Sequence, residues 1–403
     1  MNNRIGVISI NKIMPAAFDA SLFLYFVAYF FYYKENSFDS YVRLISTIAI
    51  LLTGGYYSLK RIHNIPKSTL WYFAFLMFGI LSALWAVDSS KVFLIIPTMI
   101  RILLVGHFIY CRARTSKDLE RVLLVYILAT FYMSLAILRL QLNYYSFANI
   151  LIQRLGDNFG YNSNTTAIYC MTSCLLLIAF LSFKKFRLLC CIGITYFTFV
   201  VIISGSKKGI FGLLMGVLLY FYYDSKGKKR VQNTLLATIV LIASLYAIMN
   251  IPFLYEAIGQ RISAMVTSFK GDTSSSFSTS VRMELINAGL KIWEDNPILG
   301  VGLNNFSVVQ HVHSDYYSHC NYIEILSGLG ILGLVLFYTL PIKCAITKIN
   351  QGDKVMCMLK AIICILLFLD VAAVTYQEIG HIIFYWISIA YFEKKSVENA
   401  CMR

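Results

Sequence analysis

Long apolar runs recur from one end of this chain to the other, and no other feature narrows its possible folds so far. They fall at 16–33, 41–59, 69–87, 92–110, 119–140, 165–183, 187–203, 208–223, 231–249, 322–342, 355–375 and 378–392. A strand of a membrane barrel needs roughly 9–11 residues of alternating pattern, whereas a spanning helix needs roughly 17–25 apolar ones. Lipid offers no partner to a free backbone N–H or C=O, so each run must satisfy itself as a helix. Composition agrees: 58% of the 403 residues are apolar, 14% are charged, and the mean hydropathy is +0.68. Soluble domains are about 45–50% apolar and about 25% charged. The expectation is an all-α integral membrane protein with about twelve transmembrane helices. Disordered, collagen-like and disulfide-stapled classes are excluded. Most of the ten cysteines lie inside the apolar runs, and Cys170 and Cys174, one turn apart, read as helix-packing residues. The N-terminus has no cleavable-signal pattern, because the first run is long enough to span.

The net charge of +15 raises nucleic acid as a partner, but its distribution argues against one. With the N-terminus inside, 22 of the 35 Lys and Arg fall in inside segments and 11 in outside ones. Every short inside loop is basic, among them Arg112–Arg121, Lys184–Arg187 and Lys226–Arg230. Cytoplasmic loops carry this excess. Both termini are therefore expected in the cytoplasm, with most of the positive charge serving as a topology signal.

Three regions follow. Residues 1–249 hold nine spans with short loops, 250–320 form one large outer loop, and 321–403 hold three spans and a short cytoplasmic tail. A loop of that length is normally functional. Its middle, GDTSSSFSTS, reads as linker. Its later part, VRMELINAGLKIWEDNP, places Val281, Leu285, Ala288 and Ile292 on one face of an amphipathic helix that Asn296-Pro297 ends.

Two polar clusters face outward. Lys207 and Lys208 interrupt an apolar stretch, Arg282 opens the amphipathic helix, and Arg154 lies in the loop QRLGDNFGYNSNTTA with Asn164. Such cations bind phosphate, Arg as a fork and Lys as a point charge, or snorkel to lipid headgroups. The second cluster, HVHSDYYSHCNYIE, holds His311, His313 and His319. A metal site completed by Asp315 or Glu324, a general base, and solvated loop histidines are the three readings. Tyr316, Tyr317, Tyr322 and Trp293 fit sugar stacking, and fit interface anchoring equally well. Asp19, Arg101, His107, Lys360, Asp370 and His381 lie within or near spans. Structural pairing is expected of them, for instance Arg101 with Asp370.

Three blocks, in order, carry a family resemblance. RLGDNFGYNSNTTA supplies Arg154, Asn162 and Asn164, with Ser163 where Pro is common. SGSKKGIFGLLMG has Lys207 where Arg is usual. VRMELINAGLKIWEDNPILGVGLNNF is followed by YSHCNYIEILSGLGILG, which gives Arg282, Trp293, an Asn-Pro-x-x-Gly-x-Gly run, then His319, Gly330 and Gly333, with Cys320 departing from the usual residue. The chain resembles the bacterial O-antigen polymerase and O-antigen ligase superfamily of membrane glycosyltransferases, whose layout is GT-C-like.

That resemblance implies a donor saccharide on undecaprenyl diphosphate, used at the outer, periplasmic face of the bacterial cytoplasmic (inner) membrane. It implies His319 and Arg282 as catalytic residues, with His319 the general base. Lys207, Lys208 and Arg154 would hold diphosphate. Asn164, Asn321, Glu324 and His313 would help bind substrate, with Glu324 or Asp315 orienting the imidazole. No metal or other cofactor is implied. The favoured activity is an inverting polymerase joining lipid-linked repeat units; the alternative is a ligase acting on lipid A–core. A flippase fits poorly, because the polar chemistry gathers on one side. Membrane lipids, and a chain-length regulator and flippase of the same pathway, are the implied partners; no nucleic acid is.

Overall fold

The computed structural model describes residues 2–32, 36–60, 65–145, 153–183, 186–260, 262–263, 277–313, 316–349 and 352–401. Among these no strand occurs. The main helices are α1 (Asn2–Phe30), α2 (Ser37–Leu59), α3 (Lys67–Leu81), α4 (Ser89–Arg112), α5 (Ser116–Tyr144), α6 (Ser163–Phe180), α7 (Arg187–Ile203), α8 (Lys207–Asp224), α9 (Gly227–Asn250), α10 (Phe277–Asp295), α11 (Asn321–Ile346), α12 (Lys354–Leu369) and α13 (Ile379–Cys401). Each of the twelve apolar runs contains a helix, although in the run 355–375 the helix ends at Leu369 and 370–375 is loop; α10 is the outer-segment helix. Among the described residues eight helices are long and apolar enough to cross a membrane, and α7 is apolar but shorter. Side-chain caps set several starts: Asn36 for α2, Asp88 for α4, a Thr115–Asp118 capping box for α5, and Asp353 for α12.

The centre of the bundle is α6, whose apolar window is 83% buried, whereas that of α9 is 11% buried. It packs against α5, α7, α8 and α12. Apolar side chains gain little from association in lipid, so close approach of small residues matters. Gly212 and Gly216 on α8 meet Met171, Leu175 and Ile365, and Gly106 on α4 faces the Trp386 ring of α13. A Cβ at Gly106 would lie 2.4 Å from that indole.

Ionisable groups inside the bundle are paired, but not all as the sequence leads one to expect. Arg112 pairs with Asp19 at 3.7 Å and Asp118 at 3.4 Å. Lys360 donates to the carbonyl of Thr347, and His107 meets Ser58 and Thr69. Arg101 does not meet Asp370. It donates to Thr98 Oγ1 at 2.7 Å and lies beside the Tyr29 ring. Asp370 is fully buried and held by Tyr338, Thr375, Tyr385 and His381. Three hydroxyls donate to its oxygens and His381 Nε2 lies 3.2 Å away, so no arginine is needed there.

The outer segment is built around α10. Val281, Leu285 and Ile292 are buried against Val301 and Phe306. Ala288 is half-exposed, and Gly289 takes the contact position instead. A Cβ there would sit 2.2 Å from Ile323 of α11, so glycine sets the distance between the helices. The chain then turns at Asn296, and residues 297–302 run along α11 where that helix is broken. Gly330 has φ 63° and ψ −166°, which leaves carbonyls of the preceding turn without helical partners. Val301 N–H donates to Ser327 O at 3.0 Å, Gly302 N–H to Gly328 O at 2.8 Å, and Ile331 N–H to Pro297 O at 2.9 Å. The Asn-Pro-x-x-Gly-x-Gly run is thus the docking strip for the broken helix. The linker stretch around 271–276 lies outside the described residues.

Gly330→Ala adds a Cβ 2.1 Å from Ile298 O in a backbone region that only glycine occupies readily. The expected loss is about 1–3 kcal/mol or more of stability. A thermal melt in detergent against Gly55→Ala, where nothing lies within 4 Å of the added Cβ, checks it. Equal melting temperatures would remove the strain argument.

Candidate active site

A cavity of ≈ 250 Å³ lies where the first turns of α6 and α8, the residues before α11 and α13, and the end of α12 meet. Its chemistry comes from Asn162, Asn164, Lys208, Arg282, His319 and Glu378, with Tyr317 and His381 also on the wall. Helix N-termini carry partial positive charge and unpaired N–H groups, so an end built from several of them already suits an anion.

Hydrogen bonds fix the α6 and α8 ends together. Asn162 caps α6 by accepting from the N–H groups of Asn164 and Thr165. Asn164 Oδ1 accepts from Ser206 Oγ at 3.0 Å and from Arg154 Nη2 at 3.1 Å. Ser206 in turn caps α8 by accepting from Gly209 N–H. Arg154 is also ion-paired with Asp157 at 2.9 Å, so it stands behind the cavity wall, bracing Asn164. Lys208 lines the cavity and donates to the carbonyl of Ala372. Lys207, one residue earlier, does not line it. Arg282 reaches in from α10 and makes no hydrogen bond or ion pair among the described residues.

His319 sits on the loop before α11 with φ 57°, a left-handed backbone that costs an ordinary residue about 1–2 kcal/mol. The surroundings enforce it. Ser318 N–H donates to buried Glu324 Oε2 at 2.8 Å, Ser318 Oγ donates to Cys320 O at 2.8 Å, and Glu324 N–H donates back to Cys320 O at 2.9 Å. Glu324 therefore holds the backbone of the histidine loop and does not line the cavity. The imidazole lies against the Tyr317 ring, centroids 4.1 Å apart. Among the described residues neither ring nitrogen has a hydrogen-bond partner, so both are open to a ligand. Burial, with the charges of Arg282 and Lys208, holds its pKa down to about 4. The ring is neutral at pH 7.

Asn321 and His313 go elsewhere. Asn321 is fully buried, donates to Tyr338 Oη, and accepts from Thr375 and Tyr376 N–H. It ties α11 to the 370–376 loop that floors the cavity. His313 pairs with Glu284 at 3.1 Å, outside the cavity lining. His311 is exposed, and Asp315 lies outside the described residues. Among the described residues no three His, Cys, Asp or Glu side chains converge as a metal site would require.

Glu378 is the site residue that sequence reasoning missed. Its carboxylate lines the cavity without a hydrogen bond or ion pair among the described residues. The signal was an acid at the mouth of the last apolar run, three residues before His381, in a stretch too short to read as a functional loop.

The arrangement can hold a dianion between Arg282 and Lys208 and present a neutral base beside it. Residues 192–338 match the family model described as O-antigen ligase. That stretch runs from α7 into α11 and contains Lys208, Arg282 and His319, and the match supports a relation to the O-antigen polymerase/ligase superfamily. Members of that family are ligase or glycosyltransferase-like membrane enzymes. No curated protein matches the chain.

Removing a neighbouring cation favours the protonated ring. Arg282→Gln is therefore expected to raise the His319 pKa from about 4 toward the ordinary histidine value, roughly 6.5. An NMR titration of ¹³C-labelled histidine in the detergent-purified protein reads this directly. An unchanged or lower value would separate Arg282 from the imidazole.

Proposed function

We propose that the protein is a surface-polysaccharide polymerase of the O-antigen type, joining oligosaccharide repeat units carried on undecaprenyl diphosphate. The observation that carries this reading is one cavity holding two cations, Lys208 and Arg282, beside a neutral, unengaged imidazole, His319. A lipid-diphosphate donor needs little activation, because its leaving group is already a stable dianion. It needs that dianion held and an acceptor hydroxyl deprotonated.

In this reading twelve helices span the bacterial inner membrane, both termini are cytoplasmic, and the cavity faces the periplasm. Support comes from direction. The cavity gathers the starts of α6, α8, α11 and α13 and the end of α12, which the basic-loop rule assigns to the outside.

The chemistry balances without a further reagent. A nitrogen of His319 takes the proton of the acceptor hydroxyl, and that oxygen attacks the anomeric carbon of the donor. The bond to the diphosphate breaks with its electron pair going to the leaving oxygen. Attack from the face opposite the diphosphate inverts the centre. Arg282 and Lys208 stabilise the growing charge on the leaving group. A ring whose pKa is about 4, chiefly through burial, is a weak base, and the donor corrects the part that the cations cause. Its negative charge offsets the two cations that depress the imidazole, so the base strengthens once the donor is bound.

Purified protein in liposomes with cognate lipid-linked repeat units is expected to give a ladder of longer lipid-linked saccharides. His319→Ala is expected to lower that rate by roughly 10²–10⁴-fold while donor binding persists. Near-normal turnover in His319→Ala would end the base assignment. Transfer only after lipid A–core is added would make the enzyme a ligase.

A further inference from the structure

Two more cavities continue from the first in a row. Asn162, Thr165, Tyr169 and Glu378 are shared between the site described above and a second cavity of ≈ 310 Å³. Beyond that wall lie Tyr29, Phe30 and Gln377, and no Lys, Arg or His lines it among the described residues. Carboxylate and amide groups with aromatic faces suit neutral hydroxyls and sugar rings, and they offer nothing to a phosphate. Tyr29 and Ile379 are in turn shared with a third cavity of ≈ 500 Å³.

The third cavity is cationic. Arg43 and Arg101 line it with the hydroxyl residues Ser40, Thr47 and Thr98, and among the described residues no Asp or Glu does. Arg101 lies inside α4, one of the helices apolar enough to cross a membrane. Its Nη2 donates to Thr98 Oγ1 at 2.7 Å, its guanidinium lies 5.5 Å from the Tyr29 ring centroid, and its buried Nε has no acceptor. Arg43 donates to Ser40 Oγ at 3.1 Å. An arginine within a span is a functional-site hypothesis by default. An anion in this cavity would give the buried Arg101 Nε an acceptor, and two planar forks suit a phosphate. Leu44, also on the lining, is 56% exposed. The cavity therefore reaches the side of the bundle, where a lipid arrives.

We infer that Arg43 and Arg101 form a second anion site for the diphosphate of a lipid-linked saccharide, the acceptor, whose sugars meet the donor's in the neutral cavity between. This rests on the polymerase reading, because a polymerase uses two lipid diphosphates at once. The order of the cavities is the argument: cationic, neutral and sugar-compatible, cationic. A phospholipid phosphate has the same chemistry as the acceptor's, so the source must be tested as well as the site.

The experiment is equilibrium binding of radiolabelled undecaprenyl diphosphate to the full chain in a neutral maltoside detergent, with and without excess phosphatidylglycerol. The expected result is two equivalents for the unaltered protein. One equivalent is expected for the double variant Arg43→Gln, Arg101→Gln, whose remaining equivalent shows that it is folded. Phosphatidylglycerol should displace neither. A single equivalent that the double variant leaves unchanged overturns the second site. Displacement of one equivalent by phosphatidylglycerol assigns the cavity to ordinary lipid and overturns the acceptor role. A kinetic arm uses a donor bearing several repeat units and an acceptor bearing one. The double variant should raise the acceptor KM by about ten-fold or more, the effect of losing a charge-assisted contact, and leave the donor KM unchanged. Equal rises in both would contradict the assignment. The binding result does not depend on turnover. Two equivalents without any ladder from the unaltered protein would sink the polymerase reading and the acceptor role, and leave a second lipid-diphosphate site standing.

Discussion

The site depends on a break in one helix. At Gly330 the backbone of α11 leaves helical geometry, and the Pro297–Gly302 strip trades hydrogen bonds with residues 327–331 across the gap. Unpaired backbone groups inside a membrane protein are costly, so the break persists only because another segment completes it. That exchange fixes the strip, the strip fixes the end of α10, and α10 carries Arg282 to the cavity. The start of the same α11 carries His319. One backbone feature therefore sets the separation of Arg282 and His319, although neither residue touches Gly330.

Electrostatics then set a conflict within the proposed mechanism. A cavity able to hold a dianion must carry cations, and those cations add to burial in weakening a nearby imidazole as a base. The left-handed backbone at His319, braced by Glu324 through Ser318, keeps the ring where it feels Arg282 and Lys208. In the proposed reaction a diphosphate between the cations would relieve their repulsion and the part of the depressed basicity that they cause, while the larger part, from burial, would remain. Donor binding would then favour proton abstraction after the leaving group is seated.

The helices were legible because each apolar run must close its own hydrogen bonds, and a run long enough to span leaves few alternatives. Arg282, Lys208, Asn164 and His319 were legible as polar groups out of place in such a chain. What sequence cannot give is direction. Lys207 and Lys208 are adjacent on a helix and about 100° apart around it, so one faces the cavity and the other does not. Asn321 and Glu324 both follow the histidine closely, yet the first turn of α11 aims one into the Asp370 network and the other back at Ser318. His313 is captured by Glu284, 29 positions away. Glu378 escaped notice for the opposite reason: it is distant in sequence from the other site residues, and only the packing of α13 beside α12 and α11 brings it to them. The pairing of Arg101 with Asp370 failed because Asp370 is satisfied by three hydroxyls that no spacing rule brings together.

The most direct test of the account is an electron cryomicroscopy structure of the protein with undecaprenyl diphosphate bound. The account predicts diphosphate oxygens within about 3 Å of Lys208 Nζ and the Arg282 guanidinium, with His319 lining the same cavity. A diphosphate seated away from both cations, with the cavity beside His319 empty, would contradict it.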